Sequence, residues 1–306
     1  MDKLKYSQLE IAKILGEPKD PRKPYTNLVE LICETDTANP EDYVYVFDVL
    51  QDTDKVYVIT STGEVTQENV SPDTPATLSF ADIASPEYYI KITDLAKAKE
   101  KTLARKVETI NRALNAYENY KVISLIAASI QSDKSFSLAS GEDHFNYEHL
   151  VNMISAIEDY ADDFVLVCGS TIRKDIRLWD WKDNKYTSLA EALKDLNVEI
   201  KKVSQTVTID GASTSVLAAT KAYLVGRNTE VGRPVRFVRK KLDTISMLGG
   251  VISEDGDAPE RLIFASPNPV TVVGSSKRYL AVGVTGYEEI AGAVVNPYAL
   301  SYFSRS

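Results

Sequence analysis

Few side chains in this chain could do chemistry. Two histidines, His144 and His149, and two cysteines, Cys33 and Cys168, are all that 306 residues hold. Five positions apart on a helix, the two imidazoles would point about 140° away from each other. Glu142, Asp143 and Glu148 stand nearby, but a zinc site needs three or four converging ligands. The two histidines therefore read as polar residues near a helix start, and no metal ligand is assigned. A Ser-His-Asp or Cys-His nucleophile lacks its base over most of the chain. The text "VLVCGST" puts Cys168 at a strand end before a helix N-terminus, a place that stabilises a thiolate. With no base in reach, Cys168 reads instead as a buried core thiol.

The usual motifs are missing as well. There is no GxGxxG, no GxxxxGK[ST], no GxSxG and no CxxC pair. Carboxylates are plentiful, as in "EDYADD", yet abundance does not specify an acid/base pair. "SEDGDAPE" (253–260) lacks the twelve-position calcium pattern and reads as a polar turn. The expectation is a protein with no catalytic residue, no cofactor and no metal, and not an enzyme. A net charge of −9 argues against a base-reading nucleic-acid binder. One basic run stands out, "GRPVRFVRKK" (232–241), with Arg233, Arg236, Arg239, Lys240 and Lys241 in strand-like text. It reads as a charge-complementary protein contact, with a solvated strand edge that blocks unwanted pairing as the alternative.

The elements that would carry these residues follow from pattern. Hydrophobic residues at 44% and charged ones at 26% are an ordinary globular balance with material for a sizeable core. No signal peptide and no apolar run of about 20 residues is present. Three prolines in "GEPKDPRKPY" (16–25) predict an extended arm that must lie against something. "DYVYVFDVL" (42–50) and "KVYVITSTGEV" (55–65) flank the polar turn "QDTD" and predict a hairpin. From Asp94 to about Tyr120, Leu103, Val107, Ile110, Leu114 and Tyr117 step by four and three, which predicts one long amphipathic helix. "ENYKVISLIAASI" (118–130) predicts a second, more buried segment.

Helices and strands alternate next. "YEHLVNMISAIEDY" is a helix with Leu150, Ile154 and Ile157 on one face, and "FVLVCG" is a buried strand. "STIRKDIRLWDW" is a helix capped by Ser170 or Thr171, and Ser188 to Glu191 forms a capping box. After Gly226 the text is nearly all strand. The class is α+β.

This order of elements resembles the shell-protein fold of tailed bacteriophages, the Hong Kong 97-type capsid fold, which encapsulins share. Particular residues carry the likeness. "LNAYENYKVISLIAAS" (114–129) is similar to the end of the family's spine helix. "FNYEHLVNMISAI" followed by "DDFVLVCGSTIRKDIRLW" resembles its helix, strand and helix, and "AGAVVNPYALSYF" resembles its closing strand pair. The resemblance implies an N-terminal arm (1–40), an extended β-hairpin loop (41–93), a peripheral domain with the spine helix (94–160), an axial domain (161–228), and a return to the peripheral β-sheet (229–306). Both closing strands are expected in that peripheral sheet.

The implied function is a structural, self-assembling major capsid protein, or alternatively an encapsulin-type shell around a cargo protein. Its partners would be copies of itself in hexamers and pentamers, scaffolding, portal and cement proteins, and packaged double-stranded DNA contacted without sequence specificity. No membrane is implied. The place would be the virion capsid, assembled in the host bacterial cytoplasm. No long charged helix precedes the arm, so scaffolding would fall to a separate or removed segment. Lys55 lies in the loop where some relatives place a cross-linking lysine, but no receiving Asn matches, and no role passes to it.

Overall fold

The computed structural model describes residues 27–48, 75–86, 88–179, 188–209, 211–227, 229, 232–242, 260–271 and 278–305. In chain order the opening elements are helix α1 (Leu28–Ile32) and strands β1 (Cys33–Ala38), β2 (Val44–Asp48), β3 (Pro75–Ser79), β4 (Ala81–Ala84) and β5 (Tyr88–Lys91). Helix α2 (Ile92–Ser129), β6 (Ser135–Ser137), α3 (Tyr147–Ser155), β7 (Phe164–Cys168), α4 (Ser170–Arg177) and α5 (Leu189–Asp195) follow. The rest is strand: β8 (Val198–Lys202), β9 (Thr206–Ile209), β10 (Ala212–Ser215), β11 (Lys221–Gly226), β12 (Val235–Lys240), β13 (Arg261–Thr271), β14 (Arg278–Val294) and β15 (Leu300–Ser304).

Helix α2 is a single rod of 38 residues, about 57 Å at 1.5 Å per residue. The two helical segments expected at 94–120 and 118–130 are thus one, since no Gly or Pro interrupts the hydrogen-bond ladder. Of its stripe, Val107, Ile110 and Leu114 are buried, and Val122, Ile123 and Ile126 continue the burial toward the C-terminus.

Strand β14 organises the first sheet. Glu288 pairs with both Arg261 and Ile83, and Ile290 with both Arg239 and Ala81. Since a strand has only two sides, β12 and β13 run end to end along one side of β14. Strands β4 and β5 occupy the other side. The text that read as separate strands, "RYLAVGV" and "EEIAGAVV", is one strand of 17 residues. Strand β1 adds in parallel outside β12, from Cys33 opposite Val235. The end of the expected arm therefore has its support: α1 buries Leu28, Val29 and Ile32, and the Leu28 N–H donates to Asn119 Oδ1 of α2 at 2.8 Å.

The second sheet has the order β6-β15-β11-β7-β8. All five residues of β7 are buried because both faces are covered. Val165, Val167, Val225 and Leu300 face the core shared with α2, whereas Leu166, Cys168, Leu224 and Phe303 face α3 and α4. Here the closing strand departs from expectation. Strand β15 pairs with β11 and β6, not with β14. A 3₁₀ turn at Pro297–Ala299, capped by Asn296 accepting from the Tyr298 N–H, redirects the chain into the second sheet.

Three local expectations also change. Helix α4 has Gly169 at its N-cap, with no side-chain cap from Ser170 or Thr171. Ser188 does accept from the Glu191 N–H, while a reciprocal capping box forms instead between Asn146 and His149. The described partner of Val44–Asp48 is Pro75–Ser79; the predicted 55–65 strand lies outside the described residues.

Helix α2 can approach β14 because Gly286 lacks a side chain. A Cβ there would lie 2.4 Å from Ile110 Cγ2 and 3.2 Å from Leu114 Cδ1. Gly286→Ala is expected to destabilise the fold by about 1–3 kcal/mol through overpacking. Urea denaturation followed by circular dichroism measures it, and an unchanged midpoint would contradict the close approach.

Candidate assembly surface

The residues that could do chemistry are placed structurally. His149 sits at the third position of α3, where its Nδ1 accepts from the Asn146 N–H at 3.2 Å and its Nε2 meets Glu142 Oε2 at 2.9 Å. His144 is exposed and pairs with Asp143 instead. The backbone N–H of Ala139 donates to Glu142 and holds its carboxyl below the usual range. The two histidines thus serve different neighbours, and no group of three potential metal ligands occurs among the described residues. Cys168 is fully buried, and desolvation pushes its thiol up to about 12; burial raises Cys33 further still. A thiol that ionises only near pH 12 is not a nucleophile at neutral pH. Both cysteines are therefore expected to resist iodoacetamide in the native chain at about pH 8 and to react fully in denaturant. Rapid native alkylation of Cys168 would contradict the burial.

The basic run is neutralised within the chain. It is not a sheet edge, because β12 lies between β1 and β14. Arg233 donates to the backbone oxygens of Glu30 and Cys33 at 2.6 and 2.7 Å. Arg236 faces Glu34 and Asp36 across 3.6 and 3.4 Å, Arg239 donates to Glu118 at 2.8 Å, and Lys240 meets Glu289 at 3.0 Å. These cations are held by internal carboxylates and backbone oxygens, so the run is not a free docking patch.

The surface most suited to a partner is apolar. Among the described residues the exposed large hydrophobic side chains are Tyr43 at 86%, Val44 at 52%, Val46 at 58% and Leu178 at 69%. Three of these four belong to the β2–β3 ribbon or its entry. The period of two explains the arrangement. Tyr45 and its cross-strand partner Leu78 turn inward onto Ala291, Ala293 and Val295, with the Tyr45 hydroxyl donating to Asp36 at 2.7 Å. Val44 and Val46, one residue to either side, must then face outward. The inward face anchors the ribbon to the first sheet, and the outward face presents β-branched apolar groups to solvent. The sequence signal was the alternation in "YVYVF", which marks a strand without telling which face the fold would cover.

Arg305, just past β15, is tied in. Arg305 Nη1 donates to both carboxylate oxygens of Asp175 at 2.9 Å, and Asp175 Oδ2 also accepts from the Phe145 N–H. Asp175 is buried on α4, so losing the guanidinium strands its charge. Arg305→Ala is expected to cost about 1.5–3 kcal/mol, read as a lower urea midpoint, with partial recovery in Arg305→Lys. No change in either variant would mean the pair contributes nothing.

No sequence-family profile and no curated protein sequence matches the chain. Solved structures do. A chain in the capsid structure of the cyanophage P-SCSP1u aligns with a TM-score of 0.57 at 11% identity, covering 94% of this chain and 91% of that one. A chain of Mycobacterium phage Adephagia aligns with a TM-score of 0.58 at 12% identity, covering 99% and 98%. A chain in the capsid of the empty GTA particle aligns with a TM-score of 0.54 at 12% identity, covering 95% and 93%. The chain has the α+β fold of the phage capsid proteins, of Hong Kong 97 type, along nearly its whole length.

Proposed function

We propose that the chain is the major capsid protein of a tailed bacteriophage, a structural subunit that assembles with copies of itself into an icosahedral shell. The observation that carries this reading is the match in fold over more than nine-tenths of both chains to a cyanophage capsid structure. The outward apolar face at Val44 and Val46 supports it, because apolar area of this kind is stabilising only when a neighbour covers it. In this reading the first sheet with α2 forms the peripheral domain, and the second sheet with α4 and α5 forms the axial domain, joined by α3, β6 and β15 from the 94–160 and 229–306 segments first expected in the peripheral domain. The shell is built from hexamers and pentamers and encloses double-stranded DNA, which it touches without reading sequence. Scaffolding, portal and cement functions reside in other proteins, assembly takes place in the bacterial cytoplasm, and the subunit does no catalysis. An encapsulin-type shell would share the fold; the phage and GTA capsids among the matched structures favour the phage reading.

The test is assembly itself. The full chain, coexpressed with any scaffolding protein encoded beside it, is expected to give capsomers or closed shells by sedimentation and negative-stain microscopy. Val44→Lys with Val46→Lys is expected to keep the native circular dichroism and lose assembly by at least about tenfold, since buried lysines must shed their water. A wild-type chain that stays monomeric throughout overturns the shell reading. A double variant that assembles normally removes the ribbon from the interface. Protein cargo in place of DNA within the shells would move the reading to the encapsulin type.

A further inference from the structure

Of the exposed apolar side chains, Leu178 stands apart from the ribbon. It is 69% exposed at the C-cap of α4. Ile172, Asp175 and Ile176 of that helix turn inward and are buried, and Asp175 is already bound to Arg305. The outward positions are Lys174, Arg177 and Leu178, whose spacing of three and four puts them on one face, and all three are exposed. Cations at a helix C-terminus suit the helix dipole. An exposed leucine beside them gains nothing from it. The helix therefore shows solvent an apolar tip next to two positive charges.

The turn between α3 and β7 has the opposite character. Glu158, Asp159 and Asp162 are exposed there. Among them in sequence, the half-buried Tyr160 stacks on the half-buried Tyr298, with ring centroids 5.3 Å apart. Lys134 Nζ lies 4.5 Å from the Tyr160 ring centroid and donates to the Tyr298 backbone oxygen at 2.6 Å, which fixes the pair. The next carboxylate, Asp163, is taken by Arg227 at 2.9 Å. Among the described residues no ion pair reaches Lys174, Arg177, Glu158, Asp159 or Asp162. The turn enters β7 at Phe164 and α4 starts just beyond its other end, at Ser170.

We propose that these two patches are the halves of one contact between copies of this chain, in which Leu178, Lys174 and Arg177 of one copy dock on the acidic turn of the next. The contact rests on the self-assembly reading and assigns it a second surface besides the ribbon. Charge complementarity selects the occupant: an apolar tip flanked by cations meets an aromatic pair flanked by carboxylates, which is the apolar centre and polar rim of a protein interface. Double-stranded DNA would suit the cations but be repelled by the carboxylates. Because the two halves differ, the contact is head-to-tail, the kind that closes into a ring when the rotation between neighbours permits.

Cross-linking and charge exchange on the full chain test the contact. Assembled particles are treated with a carbodiimide, which joins an amine to a carboxylate only where the two touch. Lys174 is expected to be joined to Glu158, Asp159 or Asp162 in the dimer band of a denaturing gel and not in the monomer band. Lys174→Glu with Arg177→Glu is expected to keep the native circular dichroism and lower the yield of sedimenting particles at least about tenfold, since like charges then face each other. Adding Asp159→Lys and Asp162→Lys to that variant is expected to restore the yield, because the attraction returns with its signs exchanged. Particles without the intermolecular cross-link overturn the contact whether or not the variants fold, and so does normal assembly of the first variant. Both results leave the shell reading standing, whereas a wild-type chain that never assembles overturns the two together.

Discussion

Helix α2 and strand β14 touch more closely than side chains normally permit, and the rest of the molecule hangs from that contact. Gly286 leaves room for Ile110 and Leu114, and Gly292 leaves room for Leu125. With the two backbones drawn together, β14 offers both of its edges to other strands over much of its length. The far end of α2 reaches the second sheet through Val122, Ile123 and Ile126. One rod therefore joins two sheets that share no strand, and one apolar cluster takes in its residues from Ile110 to Ile126. A void or an overfilled position along the rod is felt by both sheets, because interiors packed this densely transmit strain.

The polar groups of this chain are tied up in its own structure. Here the histidines finish a helix start, the thiols are desolvated, and the arginines of β12 hold the carboxylates of β1 and α2. Contacts of that sort fix the shape of the fold. Among the described residues the exposed apolar face is a modest ribbon, anchored from behind by Tyr45 and Leu78. Anchoring matters because a ribbon already held in place loses less freedom when a neighbour covers it.

What could be read from the residues was what depends on local period. The stripe through Val107, Ile110 and Leu114 marked the long helix, and the unbroken apolar run Phe164–Cys168 marked a strand covered on both faces. What could not be read was the choice of partner. Leu300–Ser304 has the alternation of a strand in any sheet; only the crossing at Asn296 and the pocket for Phe303 send it to the second one. The basic run was visible as charge, but the carboxylates that neutralise it lie at Glu34, Asp36, Glu118 and Glu289, far away in sequence. Charge is local and neutralisation is tertiary. The phage likeness was legible because it rests on the order of elements, which survives at 12% identity when individual residues do not.

The end-to-end placement of β12 and β13 has a consequence for engineering. Arg239 and Arg261 sit opposite Ile290 and Glu288, two residues apart on the same strand. The sheet thus brings together the ends of the 243–259 connection, whatever that connection contains. The entropy of closing a loop grows only with the logarithm of its length, about 0.6 kcal/mol per doubling. A foreign peptide spliced after Leu242 and before Glu260 would leave the ladder pairs of β12 and β13 in place. The junction of β12 and β13 along β14 is therefore a natural splice point for an epitope or a tag.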